Sequence, residues 1–292
     1  MRTRPLPPWI AGVVGGSALL LVAWLERQKP LRRSVEPKLR REARNLTVAG
    51  ISAIAVVLAE RPIVMPLASL VEKRNLGLLR LFGFPLWLEL AAALVLMDYT
   101  FYVWHVLMHR IPLLWRFHLV HHVDLDLDAS TALRLHFTEV LASIPWRAGQ
   151  VTLIGLTPLS FSIWQCLFLL SILFHHSNIE LPISWERWLN KLIVTPRMHG
   201  IHHSVVERET NSNWSSGLTV WDWLHGTLRL NVPQTEVTIG VPAFQELKAV
   251  TLPRVLAMPF EPLPPTWEFP VGVAPKPHVS EASEAPETTL LP

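Results

Sequence analysis

The chain is written in long apolar blocks parted by charged ones. The first block, Trp9 to Leu25, runs 17 residues without a charge, at the short end of the roughly 17–25 that a membrane helix needs. Glu26-Arg27-Gln28-Lys29 follows, with no small-residue cleavage site, so the block is expected to stay as a span and not to be removed as a signal peptide. A basic segment comes next, holding Arg27, Lys29, Arg32, Arg33, Lys38, Arg40, Arg41 and Arg44. Beside an apolar run such a segment marks the cytoplasmic side and meets anionic lipid rather than nucleic acid. Leu46 to Leu70 is the second block, broken at Glu60-Arg61-Pro62. It reads either as one span with a polar break or as a hairpin that only dips into the bilayer. Phe82 to Leu107 is the third and carries Asp98 and His105 in its last turns. Between Val140 and Phe174 lie two more, split near Gly155 and by Pro158, which predict a helical hairpin of short spans.

Counting sides from a cytoplasmic 27–44 loop, the second block leaves and the third returns, and the hairpin leaves and returns. His105, His175 and His176 then arrive on the same face. The fold predicted is all-α: a polytopic membrane helical bundle of about four or five spans, with a histidine-rich helical cap on the cytoplasmic side. Residues 1–45 form the first span and its basic loop, 46–230 the membrane-embedded catalytic region, and 231–258 a C-terminal extension. Pro259 to Pro292 holds nine prolines and few large apolar residues, which predicts a disordered tail.

Composition sharpens this reading. Half the residues are hydrophobic, 17% are charged and mean hydropathy is +0.30, against about a quarter charged in an ordinary soluble domain. The single cysteine, Cys166, excludes an internal disulfide framework and a cysteine-bound zinc or iron–sulfur centre. Thirteen tryptophans fit helix ends at lipid–water interfaces. Of thirteen histidines, twelve lie between His105 and His225, and that concentration is where the chemistry must be sought.

Three histidine clusters share one grammar: His105-Val-Leu-Met-His109, His118-Leu-Val-His121-His122 and His199-Gly-Ile-His202-His203. On a helix, residues three and four apart share a face, about 5–6 Å between β-carbons. Each cluster therefore offers two or three imidazoles to one point, as a metal needs. Burying eight imidazoles near lipid without partners would be expensive. Eight nitrogen donors also exceed the four of a structural zinc site, which suggests two metals.

Other residues are placed less firmly by spacing alone. His176, in Phe174-His175-His176-Ser177-Asn178, stands where a ninth ligand could come from, while His175 points elsewhere and reads as a bystander. His136 is either a ligand or a member of a polar network with Glu139. His225 reads as a helix-end residue, and His278 in the tail has no partner. Asp98 lies seven residues before His105, on the same face, and is expected to accept the free ring N–H of a liganding histidine and so fix its tautomer. Asp222 is expected to act similarly beyond the third cluster.

With these residues in view, the chain resembles the fatty acid hydroxylase superfamily, which includes sterol desaturases and C-4 sterol methyl oxidases. The resemblance runs from Asp98 to Thr227 and includes Asp98-Tyr-Thr-Phe-Tyr-Val-Trp-His105, Leu114-Trp115-Arg116-Phe-His118, Arg134-x-His136, His176-Ser-Asn178, Thr195-Pro196-Arg-Met-His199 and Trp221-Asp222. It implies a membrane-bound di-iron oxygenase that hydroxylates or desaturates a fatty acyl or sterol-like lipid with O2. By matching position, the eight cluster histidines and His176 would hold two iron ions. Zinc would compete well for such nitrogen sites in purified protein. One departure is Trp221-Asp222-Trp-Leu-His225-Gly226-Thr227, where relatives commonly carry Phe before the glycine. Nothing here looks like a fused cytochrome b5 domain, so electrons are expected from a separate donor of reductase, ferredoxin or cytochrome b5 type.

Two other functions compete. A membrane zinc hydrolase would need a carboxylate base beside the clusters, as in His-Glu-x-x-His, and no cluster has Glu beside its first His. A histidine-rich metal transporter or sensor predicts ionisable residues along the spans, whereas here they gather at one face. Imidazole suits iron, copper, zinc and nickel alike, so the ligand set does not choose the metal.

Overall fold

The computed structural model describes residues 3–270; residues 271–292 of the expected tail, His278 among them, lie outside the described residues. Twelve α-helices and several short 3-10 and π segments account for the described chain, and no strand is present among the described residues, only isolated bridges. Helix α1 is Pro8–Gln28, α2 Lys38–Ala55, α3 Arg61–Arg74, α4 Leu86–Arg110, α5 Pro112–His122, α6 Phe137–Gln150 and α7 Pro158–His175. The cap follows as short pieces: α8 Ile183–Leu189, α9 Pro196–His202, α10 Glu207–Thr210, α11 Val220–Leu224 and α12 Leu252–Ala257.

Four helical stretches are long and apolar enough to cross a membrane: Pro8–Gln28, Lys38–Leu81, Leu86–Arg110 and Pro158–His175. Their outer faces carry large apolar side chains, with Leu20, Leu58 and Leu81 each more than 70% exposed. That inverts the soluble pattern and suits a hydrocarbon surround. The second block does not turn back. A π-helical segment, Val56–Glu60, joins α2 to α3 as one continuous helix through Pro62. Proline clashes with the carbonyl four residues earlier and removes a donor. A π turn just upstream loosens the ladder where that clash would fall.

The hairpin expected between Val140 and Phe174 is present, but its first arm is amphipathic. Helix α6 continues into a π segment, Val151–Gly155, and buries Glu139, Ser143, Arg147 and Gln150 on one face. The reversal uses Gly155 (φ +90°), and Gly77 (φ +95°) packs directly on its backbone, so neither position has room for a Cβ. Thr157 and Ser160 then form a capping box that opens α7, with Pro158 in the first turn. Arg80 ties this corner, donating to Gly155 O and to the Glu89 carboxylate. An apolar core of Val64, Ala68, Val71, Met97, Val151, Phe161 and Trp164 fills this end of the bundle.

The histidines gather at the other end. There two arginines of the basic segment, Arg41 and Arg44, are turned inward and not toward lipid, while Arg27, Lys29, Arg33 and Arg40 stay exposed. Arg41 is buried against Asp124, Asp126 and Asp128, and Arg44 against Glu36 and Asp124. Arg134 donates to Val120 O and to Asn45. Burial alone would raise the Asp124 carboxyl, but Arg41, Arg134 and Arg44 around it hold it at about 2. These carboxylates directly follow His121-His122, so the pairs pin the end of α5 to the start of α2. The segment expected to be disordered from Pro259 is packed over its described part. Trp267 stacks on Trp115, and Glu261 O accepts from Arg116, holding residues 259–270 against α5.

Candidate metal centre

Nine histidines converge into two groups whose ligand atoms lie within 4.8 Å of one another: His105, His109, His118, His122 and His202 in one, His121, His176, His199 and His203 in the other. All are buried except half-buried His109. The partition follows helix geometry. Residues four apart stay together, so His105 with His109, His118 with His122, and His199 with His203 each serve one group. The residue between, at the i+3 position, is rotated away from its four-apart pair. His121 thus leaves the first group for the second, and His202 leaves the second for the first.

Backbone carbonyls fix three rings. His105 Nδ1 donates to Trp214 O at 2.7 Å, His202 Nδ1 to Ser212 O at 2.8 Å and His176 Nδ1 to Ile172 O at 2.8 Å. A carbonyl only accepts, so in the neutral ring each Nε2 is left as a bare lone pair. Those lone pairs face one another. His176 Nε2 lies 3.0 Å from Nε2 of both His121 and His199, and His199 Nε2 is 3.1 Å from His203 Nε2. Ligands about 2.1 Å from one ion and at right angles to each other stand roughly 3.0 Å apart. Buried nitrogens of His109, His118, His121, His122, His202 and His203 have no hydrogen-bond partner. The donor set therefore fits metal ions. Burial and the neighbouring rings hold His121, His122, His199 and His203 well below the usual imidazole range, and His202 at about 3, so these rings are neutral and able to ligate near pH 7.

The supporting residues differ from those expected. Asp98 does not reach a histidine: its Oδ2 accepts from Leu218 N at 2.9 Å and Trp221 Nε1 at 2.7 Å. Seven residues of helix rise about 10 Å, too far for the same carboxylate to touch His105. Its effect is to hold the 217–221 segment, where it also packs on Gly217. Asp222 acts one step nearer. It accepts from the backbone N–H groups of Trp214 and Ser215 and from Thr227 Oγ1, and so holds the carbonyl that orients His105. Glu139, expected beside His136, instead stands 3.2 Å from His118 Nδ1, close but off the hydrogen-bonding angle. Its position in the first turn of α6 offered no local signal of that partner.

His136 lies outside both groups and accepts from Thr138 N as the N-cap of α6. His175 is buried against His199, 4.1 Å between ring centres, but belongs to neither group. His225 ends α11, exposed, and stacks on Tyr99 and Tyr102. Arg32 was missed as a partner of the third cluster: its Nη2 donates to Pro196 O at 2.7 Å, and its guanidinium lies on Gly200, where no Cβ would fit. Below the rings opens a cavity of about 140 Å³, walled by residues such as Phe101, Trp104, Met108, Phe168 and Ile172, with His105, His118, His121, His176 and His199 at its roof. A larger cavity of about 750 Å³ under the cap, between residues 30–38, 125–128 and 234–239, touches none of the nine.

A helical membrane protein with a buried nest of nine imidazoles above a largely apolar cavity is the class that these observations define. Residues 90–227, just under half of the chain, match the fatty acid hydroxylase family model. The chain is 34% identical over 159 residues to an ornithine lipid hydroxylase of Rhizobium tropici, covering 54% of this chain and 46% of that one. It is 30% identical over 139 residues to human cholesterol 25-hydroxylase, covering 47% and 49%. An alkylglycerol monooxygenase of Xenopus tropicalis is 27% identical over 139 residues, covering 48% and 29%. The chain thus spans about half the length or less of these curated relatives. No solved structure matches it significantly.

Proposed function

We propose that this protein is a membrane-bound, oxygen-dependent lipid hydroxylase or desaturase that uses two iron ions, one in each histidine group. The observation that carries the reading is the pair of all-imidazole groups, one of five and one of four, roofing an apolar cavity. Relatives named for ornithine lipid, cholesterol and alkylglycerol support a lipid substrate. When bound, the two ferrous ions would supply coordination and electrons for the reduction of dioxygen at an unactivated C–H bond. Hydroxylation then balances as one oxygen atom to the product and one to water, with two further electrons and two protons delivered from outside. The electrons come from a separate donor protein of reductase, ferredoxin or cytochrome b5 type. Zinc is expected to occupy the same sites in part of the purified protein.

The chain's own residues do the positioning. Trp214, Ser212 and Ile172 carbonyls hold ring protons at Nδ1, so every Nε2 they control points inward. The aromatic and aliphatic walls exclude water and align a hydrocarbon chain beneath the rings. The catalytic region takes in 46–230, and the histidine end faces the cytoplasm, the side that the basic loop marks.

The test is lipid mass spectrometry of membranes from cells making the wild-type chain or His199→Ala, grown under isotopically labelled dioxygen. A lipid that gains labelled oxygen or a double bond only with wild type is the expected result. Metal-loaded wild type that alters no lipid, with a donor system supplied, overturns the proposal. A zinc hydrolase would instead release lipid fragments without dioxygen uptake.

A further inference from the structure

The polar stripe on α6 continues past the histidines. Glu139, Ser143 and Arg147 all line the cavity, and Arg147 is eight residues beyond Glu139, roughly 12 Å further along the helix. Lining the same cavity is Glu60, the last residue of the π segment between α2 and α3. Both side chains are more than nine-tenths buried. Ionisable groups at this depth of a membrane protein are costly and are kept for a use.

Neither has an ion-pair partner within 4.0 Å among the described residues. Arg147 donates one hydrogen bond, to Gln150 Oε1 at 3.0 Å, and rests its guanidinium 4.6 Å over Trp164. Its buried Nε has no partner. Glu60 accepts no hydrogen bond among the described residues, and no ion pair within 4.0 Å joins it to Arg147. Two opposite charges placed to stabilise the fold would touch, because buried ions are offset only by close contact. These two flank a gap. Glu60 stands at the end of the π segment, a form frequent at functional sites, on the wall of the same cavity.

We propose that Glu60 and Arg147 clasp a neutral hydroxyl group at the end of the lipid substrate remote from the histidines. The clasp rests on the oxygenase reading for what happens at the other end of the substrate, but not for the binding itself. A hydroxyl accepts from Arg147 and donates to Glu60 at once. A carboxylate or phosphate meets repulsion from Glu60, and an amine meets it from Arg147. The clasp therefore selects an uncharged alcohol, and its distance from the rings sets which part of the hydrocarbon lies beneath them.

Binding is measured on the purified, metal-free full chain in nanodiscs, with a radiolabelled long-chain alcohol and the carboxylic acid of equal length as probes, empty nanodiscs being subtracted. Wild type should favour the alcohol on the order of tenfold or more, the size of a hydrogen bond to a charged partner. Glu60→Gln leaves Arg147 unopposed and should reverse the preference toward the acid. Arg147→Gln should weaken alcohol binding by about tenfold. Glu60→Asp, which keeps the charge, should weaken the alcohol without reversing the preference, and circular dichroism checks that each variant is folded. Equal affinity of wild type for both probes, or a folded Glu60→Gln with an unchanged ratio, overturns the clasp. A chain that discriminates as described yet oxidises no lipid under labelled dioxygen leaves the clasp standing and overturns the oxygenase reading instead.

Discussion

Replacing Asp222 by Asn tests whether a carboxylate that touches no histidine governs one. The side chain is fully buried and accepts three short hydrogen bonds, from Trp214 N at 2.9 Å, Ser215 N at 2.9 Å and Thr227 Oγ1 at 2.7 Å. Asn keeps one oxygen and sets an amide N–H₂ against one of these donors. Orphaning a buried donor costs about 1–3 kcal/mol, and the surviving bonds lose the extra strength that a charged acceptor gives. That loss falls on the segment that presents Trp214 O to His105 and Ser212 O to His202. Both rings belong to the five-histidine group. Loss of a partner that orients a ligand weakens metal binding by about 10–100-fold, so this group should release metal at a correspondingly lower chelator concentration. The four-histidine group draws no ring from that segment. Chelator titration with metal quantified per chain should therefore split into two phases in Asp222→Asn, one shifted and one not. Wild-type affinity in both phases, or an equal shift in both, would refute the reasoning.

Three further outcomes are expected. His136→Ala should retain full metal with only the loss of a helix cap, about 1 kcal/mol seen as a lower melting temperature, whereas His176→Ala should lose the metal of the four-histidine group. Gly200→Ala should press its new methyl into the Arg32 guanidinium and lower metal retention in the same group, with Arg32→Ala partly rescuing it; no rescue would count against that contact. In metal-free protein the folded-state pKa of His202 is about 3 and those of His121, His122, His199 and His203 are well below 6.5. Between those values and 6.5 the unfolded chain binds more protons, so stability falls as pH drops below 6.5. Denaturation midpoints from pH 7.5 down to 4.5 should decline steeply without metal and much less with it.

Much of this molecule is legible in its apolar blocks and histidine spacing, because both depend on local periodicity. The i, i+3, i+4 rule places eight rings in facing sets without knowledge of the tertiary fold. What it leaves out is which ring crosses to which group, since that depends on how α4, α5, α7 and α9 meet. Asp98 shows a different failure: sharing a face says nothing of reach, and the axial rise to His105 alone separates the two. Glu60-Arg61-Pro62 reads as a break because charge and proline both disfavour a helix, yet a π turn absorbs the proline and the cavity takes the charge. Arg41 and Arg44 read as lipid-facing with the rest of their segment because their partners, Asp124, Asp126 and Asp128, lie some eighty residues away in the chain.

The crossing of His121 and His202 between the groups has a consequence for how the protein is made. Each group takes rings from both sides of the long interval between His122 and His199. The first 122 residues hold four rings of one group and a single ring of the other, so neither group is complete in a partly synthesised chain. Both close together, when the seven-residue helix Pro196–His202 docks and His203 follows it. Maturation of the two sites is thus a single late event on the nascent chain, and a truncation before residue 199 leaves no complete site rather than one of two.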